Sequence, residues 1–210
     1  FIDGVVEGKT AAMLEPYSDD VHAGYLNALP DSVSAVVVAL DSAGLQVHVH
    51  AIGDLGIRTS LDAFEEASIK NGVRDSRHHI THLHVIHPDD LDRFKELGVI
   101  ANFQALWATL EDSYMTELNY PFLGEERVEW QYPIGTLART GARLVFSSDW
   151  PVSTMDPFDA AQVAVTRRGP DSIRRPPWTP QHLIDLPSVV EGYTIGGAYL
   201  SFREKEIGTL

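Results

Sequence analysis

The chain has 210 residues, 44% of them hydrophobic and 22% charged, the balance of an ordinary soluble domain with room for one sizeable core. Its net charge of -14 argues against a nucleic-acid binder, which needs clustered Lys and Arg to neutralise phosphates, and no apolar run approaches membrane-spanning length. The absence of cysteine excludes disulfides, thiolate metal sites and a Cys nucleophile, so any transition metal must be held by imidazole and carboxylate.

Phe1-Ile2-Asp3-Gly4 reads as the end of a strand running into a turn, and Glu206-Ile207-Gly208-Thr209-Leu210 as the approach to another. A segment of a longer polypeptide is therefore expected. In chain order, residues 34–40 are apolar and helix-like and stop at Gly44. Residues 45–50 alternate with a period of two and predict a strand. Gly53-Asp54 opens a helix with Ile57, Leu61, Phe64 and Ala67 on one face, closed by Asn71-Gly72. A strand follows at 79–83. His87-Pro88-Asp89-Asp90 then starts a helix carrying Leu91, Phe94 and Leu97, which ends at Gly98. Residues 99–103 predict a third strand, and an aromatic-rich excursion runs from Trp107 to Tyr132. A helix at 134–140 leads through Gly141 into a strand at 144–147. From Pro157 the tail is mainly helical, broken by a Pro/Arg-rich loop over residues 169–177.

This alternation predicts parallel strands with crossover helices. Four clear strands after the opening one are too few to close a barrel of roughly 250 residues. The chain is then either a small open α/β sheet or the C-terminal portion, about strands 4–8, of a TIM-like (β/α)8 barrel. The polar residues favour the barrel. His50 and His82 close two predicted strands and Asp149 lies just past a third, and in a parallel barrel all such ends open onto one face. Two neutral imidazoles and a carboxylate suit zinc. Each residue also has a bland reading: a histidine at a strand end is often only hydrogen-bonded, and Asp149 can cap a turn. His48 and His50 share a strand face, as a chelating pair or a core-facing one.

The sequence resembles the amidohydrolase superfamily, specifically its amidohydrolase-3 branch, which includes N-substituted formamide deformylase-like proteins. The resemblance spans nearly the whole chain. It rests on Asp3-Gly4 with Thr10-Ala11 and Pro16-Tyr17, on His48-Val49-His50-Ala51-Ile52-Gly53-Asp54, and on Arg77-His78-His79-Ile80-Thr81-His82. It continues through Asp89-Asp90, Arg93-Phe94, Leu97-Gly98-Val99 and Gln104, then Gly141-Ala142 and Ser148-Asp149-Trp150-Pro151-Val152. Ala164-Val165-Thr166-Arg167, Tyr193-Thr194 and Ala198-Tyr199 complete it.

The resemblance implies that residues 1–210 are part of a catalytic barrel, with the first-strand half and a small β-sandwich outside the segment. It implies His50 and His82 as metal ligands on strands 5 and 6. Asp149 becomes a strand-8 metal ligand and the catalytic proton carrier. A first-strand His-x-His pair and a strand-4 lysine are expected before Phe1. The cofactor is one or two divalent ions, expected to be zinc. Thr81 departs from a family acid and His84 from a family glutamine.

The expected reaction is hydrolysis of a C–N bond in an amide, formamide or cyclic amide by metal-activated water. A same-fold hydrolase of ester, lactone or phosphoester bonds, and an inactive barrel serving binding or assembly, stay open. The absence of both Cys and a Gly-x-Ser-x-Gly elbow weighs against an acyl-enzyme. Gln104, Trp107, Trp150 and Arg167 are candidate substrate contacts, while His78, His79, His84 and His87 are read as supporting or surface residues. The expected partner is a small amide-type substrate, with no nucleic acid and no membrane. Self-association is left open, and a cytoplasmic location is the default expectation.

Overall fold

A computed structural model describes residues 1–110, 114–171 and 174–209, with only the backbone described at residue 114. Helix α1 (Pro30–Ser42) starts on a proline, whose missing N–H no helix needs at that position. It buries Val33 and Val37 against α2 (Asp54–Asn71), which follows strand β1 (His48–Ala51). The face of α2 is set by the 3.6-residue period: Ile57, Leu61, Phe64 and Ala67 are buried, each large side chain contributing about 1.5–3 kcal/mol. Gly72, at φ +85°, ends the helix in a conformation that costs other residues.

Strand β2 (His79–His82) leads through a short 3₁₀ turn, Pro88–Asp90, into α3 (Leu91–Glu96) and β3 (Ile100–Phe103). The aromatic-rich excursion holds a π-helical turn, Tyr114–Asn119, and α4 (Tyr120–Val128), which kinks at Gly124. Then come α5 (Ile134–Thr140), β4 (Leu144–Phe146), α6 (Pro157–Thr166), α7 (Leu186–Glu191) and α8 (Gly197–Leu200), with a second π-helical turn, Gly192–Gly196, before α8. Among the described residues no helix is long and apolar enough to cross a membrane.

The four strands are all parallel and lie in the order β1-β2-β3-β4. In a strictly sequential order, crossovers that keep the usual right hand wind every connection over the same face, as in a barrel wall. A doubly wound sheet would reverse direction at a switch point. β2 and β3 are buried along their whole length, as expected of parallel strands covered on both sides. The first residues are not themselves in a strand, yet the Ile2 N–H donates to the His50 carbonyl at 3.0 Å, so the segment lies against the end of β1. The last described residues form turns.

Candidate functional site

Register fixes which side chains share the inner face. His48 pairs with His79, and His50 with Thr81; Thr81 in turn pairs with Asn102, and Asn102 with Val145. The imidazoles of His48 and His79 meet at 4.4 Å between centroids, while Val49, Ala51 and Ile80 point the other way into the hydrophobic core. By the same alternation His82 belongs with Ile80, on the helix side. It does not go there. His82 has φ +78° and Leu83 φ +56°, and the turn brings the His82 ring within 4.6 Å of His50. A left-handed residue other than glycine costs about 1–3 kcal/mol and persists where surrounding structure holds it.

The His82 ring is buried and the His50 ring nearly so, and the Nδ1 atoms of both are buried without a hydrogen-bond partner. Burial, with His82 beside it, pulls the His50 pKa down to about 4. Burial likewise lowers that of His82, against the opposing influence of Asp149 and Gln104 nearby. Both imidazoles are therefore neutral at pH 7, the form that donates a lone pair to a metal. Asp149 stands on the exposed rim after β4 with φ +55°, a conformation aspartate tolerates better than most residues.

The orphaned imidazole nitrogens of His50 and His82 have the chemistry of divalent-ion ligands, and the Asp149 carboxylate is near enough to act on His82. Among the described residues no three His, Asp or Glu side chains converge closely enough to make a metal shell on their own. His50 and His82 are thus brought together, and Asp149 near them but not into a closed cluster.

Beneath the pair runs a hydrogen-bonded polar layer. Gln104 Nε2 donates to Thr81 Oγ1 (3.1 Å) and Ser147 Oγ (2.7 Å), and the Ser147 hydroxyl donates to Asn102 Oδ1 (2.9 Å). Gln104 Oε1 is left without a partner. Asp3 is the other support. Its buried carboxylate accepts from the backbone N–H groups of Ala12, Ile52 and Gly53 at 2.8–3.0 Å and lies 3.6 Å from His50 Nδ1. Burial raises its pKa to about 6 against those three hydrogen bonds. Thr81, Asn102 and Ser147 were reachable from strand register once His50 was placed; Asp3 carried only the signal of an acid before a glycine.

Trp107 stacks on His82, with ring centroids 5.6 Å apart and planes 9° apart, and also lines a cavity of about 730 Å³ on the same face. Trp150 is 66% exposed. Arg167 is turned inward, 1% exposed. Its guanidinium donates to the carbonyls of Trp178, Tyr132 and Gln131 and to Thr179 Oγ1. That environment differs from the substrate contact expected of it: from the left-handed cap of α6 its donors are taken up by the chain's own acceptors at residues 131, 132, 178 and 179. His84, expected in a supporting or surface place, is buried at the cavity floor and stacked on Tyr132.

The chain resembles known proteins across its whole length. It is 32% identical to Protein LONG AFTER FAR-RED 3 of Arabidopsis thaliana over all of this chain and 35% of that protein. It is 22% identical to the N-substituted formamide deformylase of Arthrobacter pascens, over 85% of this chain and 32% of that protein. The crystal structure of an uncharacterized metal-dependent hydrolase from Pyrococcus furiosus superposes with a TM-score of 0.81 at 32% identity, over the whole chain and 40% of that structure. The chain thus spans well under half the length of these relatives, and its four strands are a sector of a TIM-type barrel. Residues 1–210 match the Amidohydrolase family throughout, and the chain belongs to that family.

Proposed function

We propose that this chain carries the later half of the active site of a metal-dependent hydrolase that cleaves a C–N bond in an amide, formamide or cyclic amide. The observation that carries the reading is the pair of buried, partnerless Nδ1 atoms of His50 and His82, held together by a left-handed turn at a strand end. His50, His82 and Asp149 would hold the ion, with zinc the first choice for two imidazoles and a carboxylate. When bound, a divalent ion supplies water activated at neutral pH and a Lewis acid for the scissile carbonyl.

The chain's own residues do the rest. His50 and His82 remain neutral and fixed, the first by the Asp3-clamped loop and the second by its stack on Trp107. Asp149 accepts a proton from the attacking water at its carboxylate and returns it to the leaving amine, a general base and then a general acid. Its exposed place on the rim leaves that carboxylate open to the reactants. Gln104 holds the polar layer beneath and presents Oε1 beside His82.

The test is metal analysis and hydrolysis of an amide and formamide panel by the intact protein and its His82→Ala and Asp149→Asn variants. His82→Ala is expected to lower metal affinity by more than about 100-fold, beyond what losing a supporting residue costs. Asp149→Asn is expected to abolish turnover. Metal content and turnover that survive both changes would overturn the assignment.

A further inference from the structure

The cavity beside Trp107 is built from the segments that follow all four strands: Ile52 after β1, His84 after β2, Leu106 after β3 and Val152 after β4. Its walls are largely apolar, with Trp107, Met115 and Tyr132 offering flat or adaptable contact for a ring. Its uncharged polar groups include the Thr109 and Ser153 hydroxyls, but among the described residues its charge is of one sign. Among the described residues Glu7 lines it, no Lys or Arg does, and no cation pairs with the Glu7 carboxylate. The Arg167 guanidinium, which donates to the Tyr132 carbonyl, has its donors committed to backbone carbonyls and Thr179.

At the floor Asn119 is 1% exposed and its Oδ1 has no donor, while its Nδ2 lies 3.1 Å from Met115 Sδ. His84 adds a second acceptor. Gln131 Nε2 donates to the Val128 carbonyl, so Gln131 Oε1 must accept from His84 Nε2–H at 2.6 Å. In a neutral ring that tautomer makes Nδ1 an acceptor. A buried amide oxygen without a donor is destabilising until a ligand N–H reaches it. An apolar cavity whose charged lining is a carboxylate, with unpaired acceptors at its floor and no cation among the described residues, favours a donor-bearing ligand over an anion.

We infer that this cavity is the selectivity pocket. It takes the apolar, preferably aromatic, N–H-bearing portion of the substrate, as a neutral amide or a protonated amine, and disfavours carboxylate-bearing compounds. The word substrate rests on the hydrolase reading above; the binding preference does not.

The probes are benzylamine, benzyl alcohol and benzoate, of matched shape and resistant to hydrolysis, titrated into the intact protein with calorimetric detection. Benzylamine is expected to bind at least about tenfold more tightly than benzoate. Glu7→Gln should reduce that ratio by about tenfold, which separates the pocket's own preference from any metal ligation by the probes. Asn119→Leu should weaken benzylamine binding, with thermal melting used to check folding. Benzoate binding as tightly as benzylamine, or an unchanged ratio in Glu7→Gln, overturns the inference. Selective binding without hydrolysis of any amide would leave the pocket standing and remove the proposed reaction instead.

Discussion

Strand β2 has a buried histidine just before its first residue and another at its last, and the two are built on opposite principles. His78 is fully satisfied: Nδ1 accepts from the Val47 N–H at 3.0 Å, and Nε2 donates to Asp41 at 2.9 Å. The Asp41 carboxylate also accepts from Asn71 and Arg74, and the His78 ring stacks on Phe64. His82 has an ordinary burial, an unusual backbone and a nitrogen with nothing to bind. The N-terminal end of the sheet is completed as structure; the C-terminal end is left chemically incomplete. That division matches the general rule that parallel barrels keep stability at the first end and chemistry at the second.

Asp41→Ala breaks the comparison hardest. It strands His78, Arg74 and Asn71 without their shared acceptor, and removing one partner of a buried pair costs about 3–5 kcal/mol, readable by urea unfolding. Metal content should not change. Metal loss comparable to that of His82→Ala, with stability intact, would erase the distinction between the two ends.

Gly53→Ala should give a smaller loss of about 1–3 kcal/mol. A Cβ there would stand 2.1 Å from the Ala12 carbonyl oxygen, so the loop clamped by Asp3 must shift. Because that loop follows His50, metal affinity should fall with stability in this variant, unlike in Asp41→Ala. Equilibrium unfolding and metal titration on the same sample check both.

Acid provides the mildest test. Burial alone would raise the Asp41 pKa, but hydrogen bonds from Asn71, Arg74 and His78 outweigh it and bring it from 3.8 to about 2. With the folded pKa below the unfolded one, the stabilisation is complete above pH 4 and is lost as pH falls towards 2. It amounts to about 2 kcal/mol. Unfolding measured across that window should show the slope in the wild type and a shallower one in Asp41→Ala.

Much of this was readable in advance. The four strands and the helix over Asp54–Asn71 follow from period and punctuation, because Gly, Pro and alternating β-branched residues act locally. The excursion after β3 did not show its helices, since Pro121 and Gly124 interrupt the pattern that α4 would otherwise display. Position at strand ends singled out His50 and His82, yet alternation alone sends their side chains to opposite faces; the backbone torsion that reunites them has no sequence signature. From sequence Arg167 reads as a substrate contact. Its burial depends on carbonyls contributed by residues 131, 132 and 178, which only tertiary structure brings to it.

Position 82 also bears on how such a protein can change. Glycine would adopt the φ of +78° with ease, so His82→Gly is the replacement that the local backbone favours most. It is also one that removes the imidazole. A thermal-tolerance screen would read the balance of backbone relief against lost ring packing, whereas a metal-retention screen would read only the lost imidazole. In a lineage freed from the need for metal, the relief of that backbone conformation would be weighed only against the ring's packing on Trp107 and His50.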